Sequence, residues 1–235
     1  NIIMARVKEM KENNVDIIDI GGCSTRPGSI QPSLETELNR VLPVVKAIKE
    51  KYGDEITISV DTYRSQVALE SIKLGADIIN DISGGTFDDE MYGVIAQTGV
   101  PYIVNHTRGD ISTMNDLTDY NHSEDGPIKI FGKNEVIVNE IGKEMTPLLE
   151  KMYSKGVKRW QLILDPGLGF AKKLKENLNI IRNLPSFKGY SQERNGVYTS
   201  FKYIPVLLGP SRKKFIGTIT NKGSAIERLN GTSAS

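Results

Sequence analysis

Six short, nearly all-apolar runs, set apart by longer stretches of helical period, predict an α/β fold built on parallel strands. The runs are Ile17–Ile20, Thr57–Val60, Ile78–Asn80, Tyr102–Val104, Leu162–Leu164 and Val206–Leu208. An unbroken apolar run suits a strand covered on both faces, and repeated strand–helix units imply right-handed crossovers. Two architectures meet these observations, an open doubly wound sheet and a (β/α)8 barrel. Six strands are too few to close a barrel of eight. The chain starts and stops in helical stretches, however, so one more strand at each end would complete the count. The favoured reading is a TIM-type (β/α)8 barrel whose first and last strands are absent from this sequence. Residues 1–235 then form one domain, incomplete at both ends.

The helical stretches follow in order. Ile3, Val7 and Met10 share a face of an opening amphipathic segment, and Leu34, Leu38, Val41, Val45 and Ile48 share the next. Val67, Ile72 and Leu74 make a third, closed by Gly75 as a C-cap. The longest runs through Val136, Ile137, Ile141, Met145, Leu148 and Met152, and a further one carries Leu178, Ile181 and Leu184. Pro43 and Pro147 fall inside two of these helices, where a missing N–H and a ring clash predict a kink or a restart. Two polar segments, 108–134 and 185–202, are too long for ordinary connections. The first is expected as a mobile loop over a site, the second as a surface insertion.

Composition narrows the function classes. The 235 residues are 38% apolar and 25% charged, as in a soluble globular chain. With 30 basic and 29 acidic residues the net charge is +1, which attracts neither nucleic acid nor an acidic membrane surface. A local cluster can still hold an anion. No apolar run nears the roughly 20 residues that cross a bilayer. The opening stretch, 1–14, is charged and amphipathic, unlike a signal peptide. One cysteine, Cys23, excludes an internal disulfide and suits a reducing compartment, cytoplasmic or mitochondrial.

Each strand ends in a cluster that core packing does not require. The ends read Gly21-Gly22-Cys23-Ser24-Thr25-Arg26-Pro27-Gly28, Asp61-Thr62, Asn80-Asp81, Asn105-His106-Thr107-Arg108-Gly109-Asp110, Asp165-Pro166-Gly167 and Gly209-Pro210-Ser211-Arg212-Lys213. In a barrel such ends meet on one rim, where the active site lies. Carboxylates and amides beside a lysine suit a flat ligand with many hydrogen-bonding edges. The Gly-rich loop with Ser24, Thr25 and Arg26, and Ser211 at a helix start, suit an anion such as phosphate.

Longer blocks make a family resemblance explicit. Asp19 to Gly28, Ile58 to Thr62, Ile79 to Gly84, Leu164 to Phe170 and Gly209 to Lys213 resemble dihydropteroate synthase in order and spacing over essentially the whole chain. The long inserts look more like the fungal enzymes, in which this domain is commonly fused to earlier folate-pathway enzymes. The resemblance implies a transferase that condenses p-aminobenzoate with a dihydropterin methyl diphosphate in folate biosynthesis. It implies that Asp61, Asn80, Asp165 and Lys213 hold the pterin, with Thr25 and Arg26 on the diphosphate. It also places Arg26, Pro27, Phe170 and Ser211 at p-aminobenzoate, and Asp61, Asp165, Lys213 and Arg26 in the catalytic set. Magnesium is the implied cofactor, but its asparagine ligand belongs to a first-strand motif absent here, so no metal ligand lies in this sequence. A last-strand motif with an arginine and a histidine is absent too. Family members are often dimers, which implies a homodimer.

Plainer readings stand beside these. Asp61 would serve equally as a helix N-cap, Asp165 as a turn former and Lys213 as a solvated helix residue. Pro27 and Gly28 would simply make a turn, and Phe170 would be core. Thr107 occupies a position near the pterin pocket that often carries methionine in the family. His106 and His122 map to no family motif and are read as structural or incidental. Cys23 has no base motif beside it. Three rivals remain: a pterin-dependent methyltransferase barrel, a non-catalytic pterin-binding module, and a scaffold domain that binds neither small molecule.

Overall fold

The computed structural model describes residues 2–24, 29–114, 116–120, 129–131 and 136–234, with only the backbone of 129–131. Thr25, Arg26, Pro27 and His122 lie outside the described residues. The chain divides into two compact units, residues 1–105 with 152–162 and residues 106–151 with 163–235.

The first unit begins with α1 (Ile2–Glu12) and β1 (Ile17–Gly21), followed by α2 (Leu34–Tyr52), β2 (Thr57–Asp61) and α3 (Ser65–Lys73). Then come β3 (Ile78–Asp81), α4 (Met91–Thr98) and β4 (Tyr102–Asn105). The four strands pair in parallel and in sequence order. The apolar runs of β2, β3 and β4 are buried as expected, with Ile58, Val60, Ile79, Tyr102 and Val104 in the core, whereas in β1 only Ile18 is buried and Ile17 is exposed. The α2 helix starts where Ser33 accepts a hydrogen bond from the Thr36 N–H at 3.2 Å, and Glu35 and Glu37 complement the dipole of its first turn. Its buried face is Glu37, Val41, Val45 and Ile48, so a carboxylate replaces the apolar residue expected at that end. Pro43 sits inside this helix, yet α2 runs on as one element with no restart.

Two expectations change in this unit. Of the face read in α1, only Val7 is buried; Ile3 is exposed. No helix was expected between the third and fourth strands, and α4 stands there. It is only eight residues long and Gly93 interrupts its pattern, so its period is weak in sequence. Burial of Met91, Tyr92 and Ile95 stabilises it, and Gly99 in the left-handed region (φ 75°) ends it.

The second unit contains β5 (Lys129–Phe131), α5 (Val136–Ser154) as far as Lys151, and β6 (Leu162–Asp165) from Ile163. It continues with α6 (Leu174–Arg182), α7 (Leu184–Lys188), β7 (Ser191–Arg194), β8 (Val197–Ser200), α8 (Lys214–Thr220) and α9 (Leu229–Ser233). The run Val206–Leu208 is a single parallel bridge, Leu164 to Val206, rather than a strand. Leu164 N–H donates to Pro205 and Leu207 N–H to Leu164, each at 2.9 Å. Pro205 and Pro210 lack N–H donors at either side, which limits the ladder.

Helix α5 also runs through its proline, Pro147, as one element. Its buried face is Ile137, Ile141, Met145 and Leu149, while Val136 is exposed. In α6 the buried residues are Asn177 and Ile180 rather than the apolar face expected there, and Leu184 begins α7. The segments expected as a mobile loop and a surface insertion supply the strands of one antiparallel sheet, ordered β5-β7-β8. The β7–β8 hairpin turns on Asn195 and Gly196, both at positive φ (51° and 78°), the type I′ signature. Behind it Tyr190 packs on α5, where a Cβ at Gly142 would lie 2.3 Å from its ring. Tyr190 and Phe187 both meet the ring of Phe201, with centroids 4.9 and 5.4 Å away.

Candidate functional site

In the first unit the strand register sets the chemistry. Gly21 on β1 is level with Asp61 on β2, and Asp61 is level with Asn80 on β3. Asp61 is not the N-cap of α3: Arg64 holds that position, and the Ser65 N–H bonds to Asp88 at 2.7 Å. Asn80 donates from Nδ2 to Asp19 Oδ2 at 3.3 Å, so Asp19 joins the group although sequence reasoning did not single it out. Burial pushes the Asp61 carboxyl up to about 7, with Asp19, Asp81 and Glu37 adding like-charge repulsion. The structure thus brings Asp61 and Asn80 together on one rung.

Beneath them lies a buried ion pair. Arg64 binds Glu37, Thr62 Oγ1 donates to the same carboxylate at 2.7 Å, and Arg64 Nη2 donates to the Pro32 carbonyl at 2.7 Å. These bonds tie Pro32, before α2, to the end of β2. Cys23 is half-buried, and burial with the Glu37 carboxylate pushes its thiol up to about 12, which suits no nucleophile.

In the second unit Asp165, at the end of β6, is 9% exposed. Its Oδ1 accepts the Gly167 N–H at 2.7 Å, so the turn-forming role is real. Burial pushes its carboxyl up; the Gly167 N–H, Lys172 and Lys213 pull it down. Lys213 is not a solvated helix residue. It caps α8 with an extended backbone, is half-buried, and places Nζ 4.3 Å from the centroid of the Phe170 ring. Burial lowers its pKa and Asp165 opposes that shift. Phe170 is half-buried rather than core, and Ser211 is exposed, two residues before Lys213. The structure therefore groups Asp165, Lys213 and Phe170.

Three further residues of this unit escaped the sequence reading as a set. His106 is 2% exposed; its Nε2 meets Glu144 Oε2 at 2.9 Å and its Nδ1 meets Lys172 Nζ at 2.9 Å. Burial pulls the His106 ring down to about 4, with the Lys172 charge adding. A neutral ring that donates from Nε2 to the carboxylate leaves Nδ1 to accept from lysine. Burial alone would raise Glu144, but His106 and Arg108 hold it at about 2. Arg108 chelates Glu144, donates to the Asp119 carbonyl at 2.5 Å and lies 3.7 Å from the Tyr120 ring centroid. Residues 108–114 and 116–120, expected within a mobile loop, are thus anchored; Met114 is fully buried and Ile111 nearly so. Lys172 and Glu144 lie 28 residues apart in sequence, and no local pattern links them.

Among the described residues no three His, Cys, Asp or Glu side chains form a group that could hold a metal ion, and no helix is long and apolar enough to cross a membrane.

An α/β chain with carboxylates, an amide and a lysine at the C-terminal ends of its parallel strands falls in the class that binds small molecules there. Within that class, the chain belongs to the pterin binding enzyme family, which it matches over residues 1–235. It is 39% identical over 232 residues to the folic acid synthesis protein fol1 of Pneumocystis carinii, covering 99% of this chain and 28% of that protein. It is 39% identical over 229 residues to the dihydropteroate synthase of Synechocystis, covering 97% of this chain and 70% of that enzyme. A solved Xanthomonas albilineans dihydropteroate synthase with 4-aminobenzoic acid superposes with a TM-score of 0.78 at 27% identity, over 98% of this chain and 71% of that one. That likeness carries the fold class expected from the sequence, an α/β barrel of the TIM type. The chain spans less than half the length of the fungal and plant relatives it matches.

Proposed function

We propose that this chain performs the dihydropteroate synthase reaction, joining p-aminobenzoate to the methylene carbon of a dihydropterin methyl diphosphate. The observation that carries the reading is the Asp165–Lys213–Phe170 group. A buried carboxylate and a lysine that only donates are complementary to an amino-pyrimidinone edge, and the aromatic face beside them suits an arylamine. The family resemblance assigns Asp61 and Asn80 to the pterin as well. Thr25 and Arg26 are assigned to the diphosphate, with Arg26, Pro27, Phe170 and Ser211 at p-aminobenzoate.

In the reaction the arylamine nitrogen bonds to the methylene carbon, the carbon–oxygen bond to diphosphate breaks with its electron pair, and the new ammonium loses a proton to water. An arylamine is a weak nucleophile, so the barrier falls mainly through leaving-group departure, assisted by donation from the pterin ring. The protein's work is to hold the ring and stabilise charge. Asp61 suits this role by its chemistry: raised to about 7 in the free protein, it becomes a stable carboxylate when a guanidine-like edge donates to it. Magnesium remains an expectation from the family, and no step is routed through it.

The setting is part of the same reading. The fungal and plant relatives named as folate synthesis proteins favour fusion to further folate-pathway domains, and some are named mitochondrial. A cytoplasmic or mitochondrial location and a homodimer complete the proposal. The test is diphosphate release by the whole protein that carries this chain, from 6-hydroxymethyl-dihydropterin diphosphate, with and without p-aminobenzoate. Release that requires p-aminobenzoate and yields dihydropteroate supports the synthase. Tight pterin binding without turnover would instead make it a binding module.

A further inference from the structure

The turn that carries Phe170 is conformationally costly. Gly167, Gly169 and Ala171 all take positive φ (73°, 78° and 48°), and Ala171 does so with a Cβ. The two glycines adopt such φ at no steric cost, whereas Ala171 persists there only because its surroundings over-determine it. Part of the restraint is local: Asp165 accepts the Gly167 N–H at 2.7 Å, and Asn177 accepts the Gly169 N–H at 2.7 Å. Asn177 also donates to the carbonyls of Lys172 and Lys173, which explains why an amide occupies the buried face of α6. None of these bonds reaches Phe170 itself.

Lys172 does. Among the described residues it is the buried lysine, 8% exposed, and it touches three acceptors. Its Nζ lies 3.0 Å from the Phe170 carbonyl, 2.9 Å from His106 Nδ1 and 3.3 Å from the His106 carbonyl. An ammonium has three donors, so all are used. His106 is held in turn by Glu144 and by its own N–H, which donates to the Asp165 carbonyl at 2.8 Å. Glu144 sits on α5 and is chelated by Arg108.

We propose that Lys172 is a positioning residue for the arylamine side of the site: its buried ammonium pins the Phe170 backbone to His106 and so holds the Phe170 ring against Lys213. The proposal rests on the reading of Phe170 as a p-aminobenzoate contact. Lys172 is no general base in this arrangement, because its nitrogen is spent on protein acceptors and is closed to solvent. The charged groups around it are Asp165 and Glu144, which favour its ammonium form, and Arg108 and Lys213, which oppose it; burial brings its pKa down to about 7.

The test compares Lys172→Met and Lys172→Gln with the wild type, each in the whole protein that carries this chain. Lys172→Met keeps the length and removes the donors, and its KM for p-aminobenzoate is expected to rise by about tenfold or more, as misplacement of a substrate contact does. Affinity for the pterin diphosphate should fall by a clearly smaller factor, since Asp61 and Asn80 are untouched and Asp165 keeps the Gly167 N–H and the Lys213 charge. Lys172→Gln, which restores donors, should recover part of the loss. An unchanged KM for p-aminobenzoate in a folded variant overturns the proposal. So does an equal loss toward both substrates, which marks a merely structural lysine. If Lys172→Met does not fold, Lys172→Gln carries the same two outcomes alone. Failure of the synthase reading shows separately, as absence of p-aminobenzoate-dependent turnover in the wild type, and it takes this proposal with it.

Discussion

Asp61 and Asp165 are the same side chain at the same kind of place, the last residue of a parallel strand, yet their surroundings differ in sign. Around Asp61 stand Asp19, Asp81 and Glu37, and its carboxyl rises to about 7. Around Asp165 stand a Gly167 N–H, Lys172 and Lys213, each of which opposes the upward push of burial. Burial therefore sets the direction in both, and the neighbours decide how much of the charged form survives. The first carboxylate waits for donors that a ligand must bring. The second has a donor in the Gly167 N–H and two nearby lysine charges supplied by the protein.

That contrast can be broken by mutation. On the proposed reading, the largest effect is on pterin affinity: Asp165→Ala should weaken it by about 1.5–3 kcal/mol, the worth of a hydrogen bond to a charged group. Asp61→Ala should cost less at pH 6, where Asp61 is mostly neutral, and the gap should narrow at pH 8. Calorimetric titration of both variants at both pH values measures this. Equal losses at pH 6 would show that the two carboxylates are not distinct.

A smaller effect concerns stability, and its sign is definite. The folded state raises the Asp61 pKa to about 7 from an unfolded value near 3.9, so between those limits the folded chain holds more protons. The contribution of Asp61 to stability is therefore full below about pH 4 and is lost as pH rises to about 7. Asp61→Asn escapes this loss, and its melting temperature should exceed that of the wild type by a margin that grows from pH 4 to pH 8. Parallel melting curves across that range would mean that the acidic neighbours do not act as described. A stability cost at a binding residue is the ordinary trade of function against stability.

The smallest effect sharpens the comparison through glycine. Gly169→Ala places a methyl 3.1 Å from Lys213 Cδ at φ 78°, so it strains both the backbone and the lysine, costing about 1 kcal/mol or more. Gly21→Ala places its methyl 3.5 Å from Asp61 Cβ and Oδ2, an ordinary contact, and should shift the denaturation midpoint far less. Urea unfolding of the two variants separates them. A costlier Gly21→Ala would show that the Asp61 rung is the tighter of the two.

Much of this was legible in one sequence, for reasons that particular residues make plain. A short run such as Ile58-Ser59-Val60, two β-branched residues around a small one, reports burial on both faces without help from the rest of the chain. The strand-end residues Asp61, Asn80 and Asp165 stood out because polar groups there serve no packing need. The Asn195-Gly196 hairpin is a local signal as well, but it lies inside a polar segment whose length points to an insertion. Helix α4 was not legible, since eight residues with an internal glycine carry almost no period. Nor was Glu37 as a core residue, because only Arg64 and Thr62, supplied from another element, make a buried carboxylate tolerable there.

The division follows the range of the forces involved. Most strand positions, family membership and the identities of the strand-end residues are local or pattern properties, and the sequence by itself determined them. The protonation of Asp61, the capping position of Lys213 over Phe170, and the Lys172–His106–Glu144 chain depend on groups far apart in sequence. Their energies come from desolvation and from charges a few ångströms away, quantities that do not exist until the chain has folded.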